Sequence, residues 1–95
     1  MSKKIFIVYG HHNTQKSFNA SIRDAFIDEA KKLNHKIDLI NLHDEKPLPF
    51  FDGTGPNDQV LNYRKRLEDS DVLFMISPCY NLRATAILEN WIDLT

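Results

Sequence analysis

The 95-residue sequence contains one cysteine, three glycines and no long hydrophobic run. The single thiol at Cys79 excludes an internal disulfide and suits a reducing compartment. No apolar segment approaches the ~20 residues that a membrane-spanning helix needs. The N-terminal sequence MSKKIFIVYG lacks the apolar core and the small-residue cleavage site of a secretory signal. We therefore expect a cytoplasmic protein that does not insert into a membrane.

The charges are nearly balanced, with 12 basic and 13 acidic residues and a net charge of −1. A nucleic-acid surface needs a strong basic excess, so no nucleic-acid partner is expected. The G-x-G-x-x-G pattern of dinucleotide sites and the G-x-x-x-x-G-K-S/T pattern of triphosphate sites are both absent. No metal site is predicted, because His11 and His12 are adjacent and lack a neighbouring cysteine or a histidine at helical spacing.

Three hydrophobic runs have the character of β-strands: residues 5–9 (IFIVY), 37–42 (IDLINL) and 71–77 (DVLFMIS). The first and third fit strands covered on both faces, as in a parallel sheet. A segment with helical periodicity follows each run, and Asn34 is predicted to end the first helix. The first and third predicted helices have apolar stripes, and the second, beginning around Asp58, has four residues near one face: Phe18, Ile22, Ala25, Phe26, Ala30 and Leu33; Ala84, Ile87, Leu88, Trp91 and Ile92; and Val60, Tyr63, Arg64 and Leu67, respectively. The βα-βα-βα order predicts one α/β domain, residues 1–95, with a parallel sheet and right-handed crossovers.

Residues 43–57 show neither helical nor strand periodicity and hold three of the four prolines and two of the three glycines. They are predicted to form a long loop, and long loops in compact domains are usually functional or disordered. Ligands of open α/β sheets bind outside the carboxyl ends of the strands. The three segments predicted at that edge are residues 10–17, the loop at 43–57 and residues 77–81.

The first of these segments, together with the start of the helix, reads GHHNTQKSFN (residues 10–19). Gly10 permits a sharp turn after the strand, and either Thr14 or Ser17 can cap the following helix. The free N–H groups of a helix N-terminus bind anions, and Lys16 would add positive charge. Two interpretations remain open: an anion site, or an ordinary capped loop with solvated histidines.

The third segment reads SPCYN (residues 77–81). Pro78 ends the strand, Tyr80 offers an aromatic ring with a polar tip, and Asn81 offers both a donor and an acceptor. This mixture suits a flat heteroaromatic ligand. It is equally compatible with a turn in which Tyr80 covers the end of the core.

Together, these motifs resemble those of the flavodoxin-like NAD(P)H-dependent FMN reductases and quinone reductases. The pattern H-x-x-x-x-S-F-N (residues 12–19) looks like the phosphate loop of the quinone-reductase branch. The pattern P-x-Y-N (residues 78–81), followed by AILENWID (residues 86–93), resembles the flavin loop and next helix of the FMN-reductase branch. PLPFFD (residues 47–52) is similar to the Leu-Pro-rich loop that these reductases carry after the second strand. The resemblance covers essentially the whole chain.

The resemblance implies a flavodoxin-like three-layer αβα fold with strand order 2-1-3, and a homodimer or higher oligomer in which subunits share the flavin site. It implies FMN, or FAD, as cofactor, NAD(P)H as co-substrate, and a quinone, flavin or azo-type electron acceptor. No catalytic residue is predicted, because the cofactor does the hydride chemistry and the protein positions it. The flavin phosphate and ribityl chain would contact His12, Lys16, Ser17, Phe18 and Asn19, and the isoalloxazine ring would contact Pro78, Cys79, Tyr80 and Asn81.

Two features depart from the family. Residues 82–85 read LRAT, where the family usually has small residues or Gly and then Pro. The flavodoxin-like sheet has ~5 strands, whereas this sequence supplies three βα units, the amino-terminal half of the fold, and leaves the third strand as an open edge. Two other hypotheses therefore remain: a truncated non-catalytic module that acts through oligomerisation or partner binding, and a phosphate-ligand module that uses only the turn at residues 12–19.

Overall fold

A computed structural model describes residues 2–49, 52–79 and 84–95. The elements along the chain are β1 (Lys4–Tyr9), α1 (Phe18–Lys32), β2 (Lys36–Asn41), a 3-10 turn (Leu42–Asp44), α2 (Asp58–Glu68), β3 (Val72–Ile76) and α3 (Ala86–Leu94). The predicted βα-βα-βα order is therefore confirmed. The segment between the 3-10 turn and α2, predicted as a loop, has neither helix nor strand in its described part.

The three strands form one parallel sheet with β1 in the centre, in the order β2-β1-β3. Val8 of β1 lies opposite Ile40 of β2 and Met75 of β3. The predicted order 2-1-3 is confirmed. β1 is buried on both faces because it is the central strand, and its residues Ile5–Tyr9 are at most 5% exposed.

Helices cover both faces of the sheet, as the three-layer prediction requires. On one face Phe6 and Val8 pack with Tyr63 of α2 and Trp91 of α3. On the other face Ile5, Ile7 and Tyr9 of β1 pack with Ala20 and Ala30 of α1. The alternation of side chains along β1 thus divides the core into two clusters, one on each side of the sheet.

The face of α1 that packs on the sheet differs from the predicted stripe. Phe18, Ile22 and Leu33 are 79%, 40% and 65% exposed. The buried residues of α1 are instead Ala20, Arg23 and Ala30, with Phe26 and Ile27 partly buried. Small alanines allow the helix backbone to approach the sheet, and the buried arginine beside them is polar, so a hydrophobic pattern does not include it. Phe26 and Ala30 belong both to the predicted stripe and to the face that packs on the sheet. The predicted helical period is therefore correct, but the packed face is rotated about the helix axis relative to the predicted stripe.

The ends of the helices follow the expected local chemistry. Asn34 has a φ of 64°, the left-handed conformation that follows a helix C-terminus, which confirms it as the end of α1. The side chain of Asn57 accepts a hydrogen bond from the Val60 N–H at 2.9 Å and caps α2. In α3 the predicted Leu88 and Trp91 are buried, whereas Ile92 is half-exposed.

Strand β3 is an edge strand in the described part of the sheet, since β1 is its one partner there. Val72, Leu73 and Met75 are between 39% and 42% exposed, although the sequence of β3 is as apolar as that of β1. Position in the sheet, rather than composition, therefore separates the two strands. The predicted open edge at the third strand is confirmed.

Candidate functional site

The segments after β1 and β3 meet at the carboxyl edge of the sheet. The Gly10 N–H donates to the Ile76 carbonyl at 2.8 Å, and the Thr85 hydroxyl donates to the Gly10 carbonyl at 2.7 Å. The Ser77 hydroxyl oxygen accepts from the Thr85 N–H at 3.0 Å. Thr85, which sequence reasoning missed, thus joins the start of α3 to both strand ends.

Gly10 is required for close packing rather than for an unusual backbone turn. A Cβ at this position would lie 2.9 Å from the Leu88 Cβ and 3.1 Å from the Thr85 hydroxyl oxygen. Positive φ occurs at Gly53, not at Gly10. Glycine was expected here because it permits a sharp turn. The structure gives a different reason: the missing side chain lets α3 approach the end of β1.

The turn between β1 and α1 is closed by its own side chains. Ser17 is the N-cap, because its hydroxyl oxygen accepts from the Ala20 N–H at 2.9 Å. The Asn13 side-chain oxygen accepts from the N–H groups of Gln15 and Lys16 at 3.0 and 2.8 Å. Of the two candidate caps, Ser17 is confirmed and Thr14 is not. The N–H groups of Phe18 and Asn19 fall in the first turn of α1, where a helix provides no acceptor of its own.

Thr14 instead links the turn to the segment after β2. Its hydroxyl donates to the Asp44 carboxylate at 3.2 Å. Asp44 ends the 3-10 turn that follows β2. The segments after all three strands are therefore connected at one edge of the sheet.

The turn rests on Tyr9, the last residue of β1. The Tyr9 hydroxyl donates to the Asn13 carbonyl at 2.9 Å and lies 2.8 Å from the Ser17 hydroxyl. Because each hydroxyl has one proton, Ser17 donates to Tyr9 in this arrangement. Tyr9 was predicted as a core residue alone, and its polar contacts with the turn were not anticipated.

Arg23 is the second buried support of the turn. Its Nη1 donates to the Thr14 carbonyl at 2.8 Å and to the Asn41 side-chain oxygen at 2.9 Å. Its Nε donates to the Asp24 carboxylate at 2.9 Å, and its guanidinium lies 4.6 Å from the centre of the Tyr9 ring. Sequence reasoning overlooked Arg23, because it lies beside the predicted apolar stripe and not in it, so the hydrophobic pattern gives no signal for it.

The five residues predicted around the flavin phosphate lie together in this turn and the first turn of α1. His12 is exposed and stacks on His11 with ring centres 4.3 Å apart. Lys16 and Phe18 are exposed, Asn19 is half-buried, and Ser17 is the cap. The structure thus brings these five residues to one end of α1. The cap, Ser17, is half-buried, whereas His12, Lys16 and Phe18 are exposed.

Of the four residues predicted along the flavin ring, Pro78 and Cys79 follow β3, where Pro78 is half-buried and Cys79 is exposed. Tyr80 and Asn81 lie outside the described residues. A shallow cleft of about 340 Å³ runs past Pro78 and Cys79, with Met75 and Leu88 in its walls. Its lining belongs to β3, the segment after β3 and helix α3, and the Ile76 carbonyl that precedes this segment is bonded to the Gly10 N–H.

A second, more enclosed cavity of about 350 Å³ lies between the segment after β2 and helix α3. Leu42, Leu48, Tyr63 and Ile87 form much of its apolar lining. The Tyr63 hydroxyl donates to Glu45 at 3.0 Å, and burial raises the pKa of Tyr63. Of the predicted flavin contacts that the structure describes, none lines this cavity.

The groups with perturbed titration also include an ion pair far along β2 from the turn. Arg66 of α2 donates to both carboxylate oxygens of Asp38, at 2.6 and 3.0 Å. The hydrogen bond from Arg66 lowers the pKa of Asp38. Because Asp38 lies in mid-strand rather than at the carboxyl edge, we assign the pair a structural role.

Among residues 2–49, 52–79 and 84–95, no three His, Cys, Asp or Glu side chains come together in a way that could hold a metal ion. Within the same ranges, no helix is long and apolar enough to cross a membrane.

Comparison with known proteins places the chain in a family. A family model described as the flavodoxin-like fold matches residues 3–95. The chain belongs to this family, in agreement with its α/β layers and its strand order.

Similar proteins include FMN-dependent NADH:quinone oxidoreductase from Clostridium perfringens, which is 28% identical over 98% of this chain and 54% of its own length. Human ribosyldihydronicotinamide dehydrogenase (quinone) is 26% identical over 96% of this chain and 50% of its own length. The solved structure of NAD(P)H:quinone oxidoreductase from Methanothermobacter marburgensis superimposes with a TM-score of 0.85 at 21% identity, over 99% of this chain and 53% of that chain. The chain therefore spans about half the length of the relatives it matches.

Proposed function

We propose that this chain binds FMN and forms part of an NAD(P)H-dependent oxidoreductase with a quinone, flavin or azo-type electron acceptor. The observation that carries the proposal is the capped turn at residues 10–17, whose outer side offers donors where the fold binds ligands. The relatives named as FMN-dependent NADH:quinone oxidoreductases support the choice of FMN over another phosphate ester.

The donors at the turn fit a phosphate monoester. The first-turn N–H groups of Phe18 and Asn19 lie at the positive end of α1, which attracts anions. The exposed Lys16 adds a positive charge beside them, and residues 10–19 contain no carboxylate. The hydroxyl of Ser17 is already used in the cap, so we assign it an indirect role.

The cleft beside Pro78 and Cys79 fits one edge of a planar ring system. It is open and mostly apolar, with Met75, Ala84 and Leu88 among its lining residues. The segment that carries Pro78 and Cys79 follows Ile76, whose carbonyl is bonded to Gly10 at the start of the turn, and this supports a ligand that contacts both segments. We include His12, Pro78, Cys79, Tyr80 and Asn81 in the proposed site on the resemblance of their motifs.

When bound, FMN would supply the hydride-transfer chemistry between NAD(P)H and the acceptor. The chain's own residues would bind and orient it. Lys16 and the α1 N-terminus would hold the phosphate, and residues 77–79 would fix one edge of the ring. We assign no proton transfer to a side chain.

Titration of FMN with the purified chain, followed by quenching of flavin fluorescence, tests the proposal. We expect saturable quenching by FMN and weaker binding of riboflavin, which has the same ring but no phosphate. Lys16→Gln should reduce the preference for FMN, while Lys31→Gln, at the far end of α1, should not. A folded chain that quenches neither flavin would overturn the proposal.

We further propose that the chain acts in the cytoplasm and self-associates. The exposed thiol of Cys79 agrees with a reducing compartment. Val72, Leu73 and Met75 are exposed on the β3 edge, and a second subunit packed on this edge would cover them. Sedimentation at several concentrations would measure the oligomeric state.

The second candidate is a non-catalytic module that acts through oligomerisation or partner binding. The observation that favours it is the exposed apolar edge of β3, where Val72, Leu73 and Met75 are between 39% and 42% exposed. Oxidation of NADH by the FMN-loaded chain in the presence of a quinone would exclude this candidate. Flavin binding without turnover would favour it.

A further inference from the structure

We propose that Arg23 is the positioning residue of the phosphate turn and sets how strongly the turn binds a phosphate monoester. This inference rests on the proposed function, because the phosphate is that of the flavin. Arg23 itself is 6% exposed, and its described bonds go to protein atoms. It acts through the backbone of the turn rather than as a direct ligand.

Two carbonyl groups of the turn are directed away from its outer side. The Thr14 carbonyl accepts from the buried guanidinium of Arg23, and the Asn13 carbonyl accepts from the buried Tyr9 hydroxyl. Both carbonyl oxygens therefore point into the protein. A carbonyl oxygen on the outer side would repel an anion, so these two bonds keep partial negative charge away from the proposed phosphate.

Arg23 also fixes the turn against two elements at once. The same Nη1 that holds Thr14 also donates to Asn41, the last residue of β2. The guanidinium lies against the Tyr9 ring, which belongs to β1. The turn is thereby fixed relative to the sheet before any ligand binds, and preorganised donors bind more tightly than donors that must be ordered on binding.

The charge of Arg23 is paired with that of Asp24, whose side chain is 60% exposed. Solvent screens an exposed ion pair, so Asp24 compensates the buried cation only weakly. Arg23 therefore contributes positive potential beneath the turn.

The geometry requires a guanidinium. Nε and Nη1 reach Asp24, Thr14 and Asn41 simultaneously from one rigid plane. A lysine ammonium keeps the charge but lacks this fixed fork of donors. Glutamine removes the charge and retains a short donor. The two substitutions therefore separate geometry from charge.

The experiment compares FMN and riboflavin affinity in wild type, Arg23→Lys and Arg23→Gln. We expect Arg23→Gln to weaken FMN binding about tenfold, the loss of one charge-assisted contact, while riboflavin binding changes less than about twofold. Arg23→Lys should fall between. The matched control is Arg66→Gln, which breaks an arginine–carboxylate pair on the opposite face of the sheet and should leave the ratio of the two affinities unchanged. Equal loss of both flavins, or no loss of FMN, overturns the inference.

Amide hydrogen exchange on the ligand-free chain tests the positioning step without any flavin. Arg23→Gln should speed exchange at Gln15, Lys16 and Ala20, whose N–H groups are held by Asn13 and Ser17, and should leave Gly10 unchanged. Unchanged exchange at these three amides overturns the inference. Failure of wild type to bind FMN overturns the proposed function instead, and the exchange result then still decides whether Arg23 positions the turn.

Discussion

An arginine packs on each face of the sheet, Arg23 buried and Arg66 partly buried, and the two have different partners. On the α2 side, Arg66 binds both oxygens of Asp38 and lies 5.4 Å from the Phe6 ring centre. On the α1 side, Arg23 lies over Tyr9, and two of its bonds go to neutral oxygens of Thr14 and Asn41. Arg66 is thus a partly buried cation neutralised by a carboxylate, whereas the charge of the buried Arg23 remains close to a candidate anion site.

The location of each arginine agrees with this difference. Asp38 is in the middle of β2, away from the edge where ligands of such sheets bind. Thr14 and Asn41 are at that edge. A buried carboxylate beside Arg23 would place negative charge under the turn. In the described part of the chain, the carboxylate that pairs with Arg23 is that of Asp24, and this side chain is mostly exposed. Arg66, whose charge is neutralised by Asp38, thus lies away from the ligand-binding edge. Arg23, whose charge is less neutralised, lies at the edge where an anion would bind.

The largest effect is expected on the α2 side. Asp38→Ala should lower the free energy of unfolding by about 1.5–3 kcal/mol, because Arg66 loses a charged hydrogen-bond partner while it remains partly buried. Urea denaturation measures this loss. Asp28→Ala, which removes an exposed carboxylate from α1, is the control and should stay within about 0.5 kcal/mol. A loss of that small size at Asp38 would contradict the structural role.

The same pair should give a pH dependence with a defined sign. Since the pKa of Asp38 is lowered in the folded chain, its contribution is complete above its unfolded pKa of about 3.9 and is lost as the pH falls through the folded value. The stability difference between wild type and Asp38→Asn should therefore be constant near neutral pH and shrink below about pH 4. A constant difference down to pH 2 would show that the ionised form is not the stabilising one.

On the α1 side, a smaller effect is expected from the cap. Ser17→Ala should cost about 1 kcal/mol, because the Ala20 N–H loses its acceptor. Thr14→Ala, in the same turn, removes an exposed hydroxyl and should cost less than about 0.5 kcal/mol. Thermal or urea unfolding of the two variants measures the difference. Equal losses would mean that the cap identified at Ser17 is not the dominant one.

The smallest effect is expected at the exposed edge of α1. Phe18→Ser should change stability by less than about 0.5 kcal/mol, because 79% of Phe18 is exposed. Phe26→Ser is the matched comparison and should be much more damaging, since its ring centre lies 4.3 Å from that of Phe74. If the two variants lost equal stability, the face of α1 predicted from the apolar pattern would be correct after all.

Prediction from the sequence succeeded where a signal is local. The apolar run of β1, the asparagine after α1 and the hydroxyl before it each act within a few residues, and the structure has all three where they were expected. The strand order was implied by the resemblance and is confirmed. In the candidate site, the sequence brought residues 12–19 together, because they are consecutive, and placed residues 77–79 at the same edge, because parallel strands share one.

Prediction failed where distant parts of the chain decide the role of a residue. The space at Gly10 is limited by Leu88 and Thr85, more than seventy positions away in the chain, and no local pattern records that contact. The burial of Arg23 depends on acceptors from the turn and from β2. Hydrophobicity alone assigned the sheet-facing side of α1 to Phe18 and Ile22, and this was wrong because a hydrogen-bonded arginine occupies that side.

The sequence by itself determined the elements of this protein, their order and the chemistry available at each strand end, because hydrophobic period, capping residues and turn residues act over short distances. Only the tertiary structure decided which side of α1 is buried, why position 10 must be glycine, and which arginine is neutralised by a carboxylate. Those outcomes depend on atoms from separate elements meeting within hydrogen-bonding or van der Waals distance, and that meeting exists only after the sheet and its helices have packed.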